Sequence, residues 1–467
     1  MGTSFAGLKA FVLESIERMR LRGTDLDAAK VLLLFMVCKK TLDLLKEERS
    51  VQVREGLIKD SDLCELCNVE SLASVVAHVV ERNSSSFFSD SILSIWSEVQ
   101  PVFNSDLSER SELVRLWDEF RCFSFDECNC EDGLASFFEW FLVELAERNS
   151  NKGGYFFTPD GIVSLMVQLL DPKSGEKLYD PVCGSGEFLI GAINKVKESS
   201  ERNWLYVLGR ERSAETAFIA MANAYVHGIS VDSIEVCDAL ARMDYEEKIY
   251  GKFDLAFANP PFSLRHWDGE RSVDFLRYGL PPQANADFAF IQNVLFSLNE
   301  NGRAAMVVPM GVLFRGGVER EIRRKMLLEN NVDAIISIPP MSFYGTAVPA
   351  NIMIMRKSSV SRDVLFIDGS SYFSRSQRLN RLGGDAIDKI VSLYAERKAV
   401  DNVACCVSVK DLEENDWNLT VSRYVSPPAV VGVESVATLL ERQEKLQFEL
   451  SVLQQEMRLL LSGDNTD

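Results

Sequence analysis

Through most of residues 1–148 apolar side chains recur at three- and four-residue spacing, as in LDAAKVLLLFMVCKKTLDLLKEE (26–48). That period predicts amphipathic helices. Polar breaks interrupt it at RNSSS (82–86) and at ERNSNKGG (147–154), and the second break reads as a linker between domains. From Gly154 the pattern changes to short apolar runs. Strands are expected at 177–182, 204–209, 233–237, 253–258, 303–309, 332–339, 351–356 and 363–368, with helical periodicity at 159–170, 187–198, 213–227, 286–299, 317–328 and 384–397. Strand–helix alternation of this kind predicts a doubly wound, mainly parallel α/β sheet. In the tail, Val436, Leu439, Gln443, Leu446, Leu450, Leu453, Met457 and Leu460 form a heptad seam over 433–461. Such a stripe suits a partner helix, or else a helix lying on its own domain. The resulting division is a helical domain over 1–148, an α/β domain over 154–425 and a partner-binding helix over 433–461.

Composition changes this picture little and charge changes it more. At 467 residues, 46% apolar and 25% charged, the chain has the makeup of a globular protein of two or three domains. No run approaches the ~20 apolar residues that cross a bilayer. VLLLFMVC (31–38) runs straight into Lys39 and Lys40, and the charged, amphipathic start does not read as a cleavable signal. A cytoplasmic location is the expectation, with no membrane partner. The ten cysteines then read as reduced thiols. Cys64, Cys67, Cys122, Cys128 and Cys130 match no standard zinc spacing, so no metal is expected. Net charge is −19, and residues 1–150 hold 16 Lys or Arg against 27 Asp or Glu. Phosphate backbones are bound through cations, so a nucleic-acid substrate would need a basic partner.

Two constellations carry chemistry. The first is YDPVCGSGEFLIGAI (179–193), a strand, a glycine turn and a helix. Gly184 and Gly186 let the backbone approach a ligand, and the helix N-terminus offers free N–H groups. Leu189 stands where a dinucleotide fingerprint wants a third glycine. Asp180 precedes the turn, and Ser185 and Glu187 flank its second glycine. Two acids follow at strand ends: Glu211, placed to accept from ribose hydroxyls, and Asp238, placed to accept from an adenine amine. A strand-end acid is often only a turn or helix cap, but the trio in this order describes S-adenosylmethionine.

The second is FDLAFANPPF (253–262) on the next strand. Proline ends a ladder, so a plain strand stop is one reading. The chemical reading is that the Asn259 side-chain oxygen and the Pro260 carbonyl accept both N–H bonds of a conjugated amine. That makes the nitrogen nucleophilic toward a methyl donor. Pro260 and Pro261 hold φ fixed, and Phe262 offers a face for a planar base. In a duplex that base is first flipped out. The following SLRHWDGERSVDFLRYGLPPQ (263–283), with Trp267, Phe275 and Tyr278, suits a lid over DNA or an ordinary surface loop.

From Gly154 to about Tyr424 the chain resembles amino-methylating DNA methyltransferases, and more closely the modification subunit of type I restriction–modification systems. GYFFTPDGIV (154–163), YDPVCGSGEFL (179–189), FDLAFANPPF (253–262), NADFAFIQNVLFSLNENGRAAMVVPMGVLFRGG (285–317), IPPMSFYGTAVPANIMIM (338–355) and NLTVSRYV (418–425) carry the resemblance. It implies a Rossmann-like class I methyltransferase sheet, methylation of adenine N6 in DNA, and S-adenosylmethionine as donor. Family binding positions carry onto Tyr155, Phe156, Phe157, Thr158, Pro159 and Asp160, onto Gly184 to Glu187, onto Glu211 and, less tightly, onto Asp238. The catalytic tetrad carries onto Asn259, Pro260, Pro261 and Phe262. Implied partners are DNA, a specificity subunit shared by two such chains, and a restriction or translocase subunit. Glu187 stands where the family usually has glycine, and Arg210 where a smaller or neutral residue is usual. Methylation of a protein glutamine amide, and a non-catalytic cofactor-binding scaffold, are the alternative readings.

Overall fold

The computed structural model describes residues 4–21, 27–54, 72–83, 85–103, 108–125, 133–148, 157–198, 204–241, 249–267, 276–343, 348–357, 363–374 and 379–425, with a few positions between 443 and 453. Among the described residues six helices come first: α1 (Phe5–Leu21), α2 (Ala28–Arg54), α3 (Leu72–Arg82), α4 (Ser86–Phe103), α5 (Ser108–Cys122) and α6 (Leu134–Arg148). The α/β part follows as α7 (Asp160–Leu170), β1 (Lys177–Asp180), α8 (Glu187–Lys197), β2 (Tyr206–Glu211), α9 (Ala214–Val226), β3 (Ile234–Val236), β4 (Phe253–Ala258), α10 (Asp287–Ser297), β5 (Leu298–Pro309), α11 (Gly311–Phe314), α12 (Val318–Leu328), β6 (Val332–Ile338), β7 (Ala350–Arg356), β8 (Val364–Asp368), α13 (Gly384–Glu396), β9 (Ala404–Val407), α14 (Val409–Glu414) and α15 (Val421–Tyr424).

Among the described residues the nine strands join one sheet in the order β3-β2-β1-β4-β5-β7-β6-β8-β9. β3, β2, β1, β4 and β5 run parallel, while β7 is antiparallel to both β5 and β6. β4 shows why the strands read as continuous apolar runs. Leu255 and Phe257 are buried on one face and Ala256 and Ala258 on the other, so a sheet covered on both sides needs apolar residues at both phases. Sequence order reverses between β1 and β4, the switch point at which ligands bind in open α/β sheets.

The eight expected strands and six expected helices of this part appear within a few residues of their places. One helix was expected to reach 299; α10 ends at Ser297, and β5 takes over from Leu298. The ninth strand, β9, was not anticipated. It has four residues, Ala-Cys-Cys-Val, and forms an antiparallel edge beside β8.

The helical region packs directly onto the α/β part. A single apolar cluster runs from Leu8, Phe35 and Phe137 through Leu165 to Leu255 and Ile354. α9 is the seam. The Phe88 and Phe218 rings stack at 5.8 Å, the Thr41 and Tyr225 hydroxyls lie 2.7 Å apart, and His227 Nε2 lies 3.2 Å from Glu139 Oε1. Since α9 follows the Glu211 strand, these contacts steady the backbone that carries the expected ribose acid. Of the heptad tail, Gln443, Leu446, Leu450 and Leu453 are described, each helical and exposed. The other seam positions of the tail, residues 149–156, which hold most of the expected linker, and Cys64, Cys67, Cys128 and Cys130 lie outside the described residues.

Candidate active site

Parallel strands end together, so the turns after β1, β2, β3 and β4 converge at one edge of the sheet. After β1 the chain tightens through Gly184 (φ 56°) and Gly186 (φ 92°). Both lie in the left-handed region that glycine enters without steric cost. The turn is tied down by its neighbours. Cys183 N–H donates to the Arg210 carbonyl at 2.8 Å, and Asn223 Nδ2 donates to the Ser185 carbonyl at 2.9 Å.

Carboxyl groups surround this turn. Asp180 is buried at 1% exposure; its Oδ1 accepts from Val182 N–H at 3.0 Å, while its Oδ2 has no protein partner. Desolvation pushes this carboxyl up to about 8. Glu187, accepting from the Ser185 hydroxyl, is likewise pushed to about 8, chiefly by desolvation, with Asp160 and Asp180 adding repulsion. At the end of β2, burial raises Glu211, opposed by backbone N–H bonds from Ser213, Gly184 and Arg212; the Ser213 bond measures 2.7 Å. Asp238 accepts from Leu240 N–H at 2.9 Å and faces Arg212 at 3.8 Å.

After β4 the turn is built on different principles. Asn259 Nδ2 donates to the buried Thr158 hydroxyl at 3.1 Å, which leaves Oδ1 as the side-chain acceptor. Pro260 is buried, Pro261 exposed and Phe262 half-buried. The Phe262 ring meets Phe343 edge-on, with centroids 6.3 Å apart at 80°.

These turns enclose one cavity of about 450 Å³. Gly184, Glu211, Asp238 and Phe157 line it together with Asn259, Pro260, Pro261 and Phe262. Asp160 and Glu187 instead line an adjoining cavity of about 350 Å³, with Phe157 on the wall of both. Asp180, Ser185 and Gly186 stand behind the first cavity as parts of the turn. Pro159 starts α7, its carbonyl accepting from Ile162 and Val163. Tyr155 and Phe156 lie outside the described residues.

Sequence reasoning did not single out Phe343, Phe290 or Arg212, which also line the larger cavity. The only signal for Phe343 was its place in IPPMSFYG, about eighty residues after Asn259. The expected lid is corrected in part. The Trp267 indole N–H donates to the Pro282 carbonyl at 3.0 Å and the Tyr278 hydroxyl donates to Glu329 at 2.8 Å; both rings are buried at 6% exposure. Two of its three aromatics are therefore core residues and offer no open ring to a base.

The cavity volume, the glycine turn and the strand-end carboxylates of Glu211 and Asp238 fit an adenosyl ligand, and Asn-Pro-Pro-Phe fits a planar amine beside it. This sheet with these turns defines a class I methyltransferase of the amino-methylating kind. Residues 129–431 match the family described as N-6 DNA Methylase, and the chain belongs to that family. Within it, the chain is similar to the MjaVIII type I restriction enzyme methylase subunit of Methanocaldococcus jannaschii, 30% identical over 85% of this chain and 75% of that one. It is 32% identical to the MjaVII methylase subunit of the same organism over 68% of this chain and 56% of that subunit. Among solved structures, the type I restriction-modification methyltransferase subunit from Streptococcus thermophilus superposes with a TM-score of 0.72 at 25% identity, covering 90% of this chain and all of the other. The chain is thus of the type I modification-subunit kind, an adenine-specific DNA methylase.

Proposed function

We propose that this chain methylates adenine N6 in DNA through Asn259, Pro260, Pro261 and Phe262, with S-adenosylmethionine as methyl donor and a specificity subunit as partner. The observation that carries this reading is the shared cavity: the glycine turn, Glu211 and Asp238 on one side, Asn259 to Phe262 on the other. S-adenosylmethionine, when bound, supplies a methyl group on a sulfonium centre. The chain does the rest. The Gly184–Gly186 turn, Glu211 and Asp238 would hold the donor. Asn259 Oδ1 and the Pro260 carbonyl accept the two N–H bonds of the adenine amine, draw its lone pair out of ring conjugation and stabilise the positive charge that develops on nitrogen. Thr158 fixes the orientation of the Asn259 amide, and the prolines fix the turn before the base arrives. Phe262 and Phe343 offer two apolar faces to a flipped base.

Partners follow from charge and from relatives. An acidic chain grips a phosphate backbone poorly, so choice of site falls to another subunit, as in the type I systems its relatives serve. The acidic helices and the exposed Leu446, Leu450 and Leu453 are the surfaces proposed to meet it. The test is incubation of the full chain, purified with its co-expressed partner, with methyl-labelled S-adenosylmethionine and DNA. Label recovered as N6-methyladenine supports the reading. Label on protein, or cofactor binding without transfer, supports an alternative.

A further inference from the structure

The chain leaves the Asn-Pro-Pro-Phe turn through Ser263, whose φ of 53° lies in the strained left-handed region. Its amide donates to Oδ1 of Asp287, the first residue of α10, at 2.8 Å. Asp287 is 2% exposed, and its other oxygen accepts from Arg315 Nη2 at 2.8 Å. Arg315 in turn forks onto both oxygens of buried Glu319, at 2.9 and 3.1 Å. Behind it, Arg323, 1% exposed, donates to the carbonyls of Val312, Arg315 and Trp417. Buried Asp287, Glu319 and Arg323 thus cluster around half-buried Arg315, drawing on α10, α12 and the loop between α11 and α12, one residue beyond Phe262.

Burying charge is costly and adds little to stability unless every group is paired. Pairing is near complete here, and the network's outermost contact is a single backbone amide that no helix or strand would otherwise satisfy. The same junction is fixed one residue later, where Ala286 N–H donates to the Leu264 carbonyl at 3.0 Å. Leu264 and Phe290, on either side of this junction, line the larger cavity.

We infer that Asp287, held by Arg315, is a positioning residue for the methyl-transfer reaction: it clamps Ser263 in its left-handed conformation and thereby sets the aim of Phe262 and of the Asn259–Pro260 acceptors. The clamp touches neither ligand. It lies on the base side of the cavity and away from the Gly184–Gly186 turn, so its loss acts on the reaction and spares donor binding. This inference rests on the functional reading above, but one of its readouts does not.

The test uses the full chain with Asp287→Ala and the milder Asp287→Asn. Hydrogen exchange at the Ser263 amide reads the clamp directly: protection in the parent and loss of it in Asp287→Ala are the expected results. S-adenosylmethionine affinity, measured by calorimetry, stays within about twofold in both variants, which also shows that they fold. Single-turnover methylation falls about a hundredfold in Asp287→Ala, as misplacement by an ångström can cause, with Asp287→Asn in between. Unchanged Ser263 protection overturns the inference, as does a parental methylation rate, or a matching loss of donor affinity and rate that marks general damage. If the parent itself transfers no methyl group, the functional reading falls, while the exchange result still decides the clamp.

Discussion

The turns after β1 and β4 sit on neighbouring strands and face one cavity, yet they are built in opposite ways. The first is glycine backbone surrounded by carboxyl groups, with Asp180 Oδ2 buried and without a partner. The second is proline backbone in which Asn259 is paired to Thr158, and Ser263 to a satisfied ionic network. An under-satisfied, conformationally permissive turn is suited to accept a ligand that completes it. A braced turn is suited to present acceptors whose geometry must precede the substrate. On the proposed function, one region binds the donor and the other does the chemistry, and substitutions should separate the two.

The largest separation comes from Asn259→Ala. Loss of the side-chain acceptor lowers the methylation rate by about a thousandfold, in line with removal of one preorganised electrostatic contact, while donor affinity measured by calorimetry hardly changes. Asp287→Ala comes next, with the split described above. Phe343→Ala removes one face of the base site. Stacking losses of about 1–3 kcal/mol per base should appear as a raised KM for DNA with donor affinity intact. The reverse pattern belongs to Gly186→Val. A β-branched residue at φ 92° costs about 1–2 kcal/mol of strain, so donor affinity weakens roughly tenfold while the turn after β4 is untouched.

The last comparison is of a different kind, stability against pH. The Asp180 and Glu187 carboxyls sit near 8 in the folded chain, against about 4 when unfolded. Between those values the folded state holds protons that the unfolded state has released, so the stability these two carboxyls contribute is fully present below about pH 4 and is lost as pH rises toward 8. Melting temperature should therefore fall from about pH 5.5 to about pH 8.5, and fall less in Asp180→Asn. A melting temperature that rises across this range would show that the turn is not the acid-rich, under-satisfied region described.

The α/β half was largely legible because both faces of its sheet are covered. Runs such as FDLAFA and VDAIISI carry no polar alternation that could be mistaken for anything else, and the helices between them are strongly periodic. β9 escaped because four residues at a sheet edge carry almost no pattern. The roles proposed for Asn259 and the glycine turn could be read from the sequence because each chemistry-bearing group lies within one short motif. Thr158 was read only as part of a cofactor segment, and Phe343 and Asp287 were passed over. Thr158 acts across 101 residues, and the Asp287–Arg315 pair spans 28. Partnerships of that length are made by strand order, which local spacing does not encode. Trp267 and Tyr278 show the opposite error, since an aromatic–basic run in sequence became buried rings with satisfied polar tips.

The most direct test of the central claim, that the braced turn after β4 makes an adenine amine nucleophilic, is long-read sequencing of DNA from cells carrying the full chain with its flanking genes. The predicted result is N6-methyladenine at one recurring sequence, lost in Asn259→Ala while the protein still binds S-adenosylmethionine. Methylation that persists in Asn259→Ala, or DNA bearing no modified adenine beside an intact donor-binding chain, would contradict it.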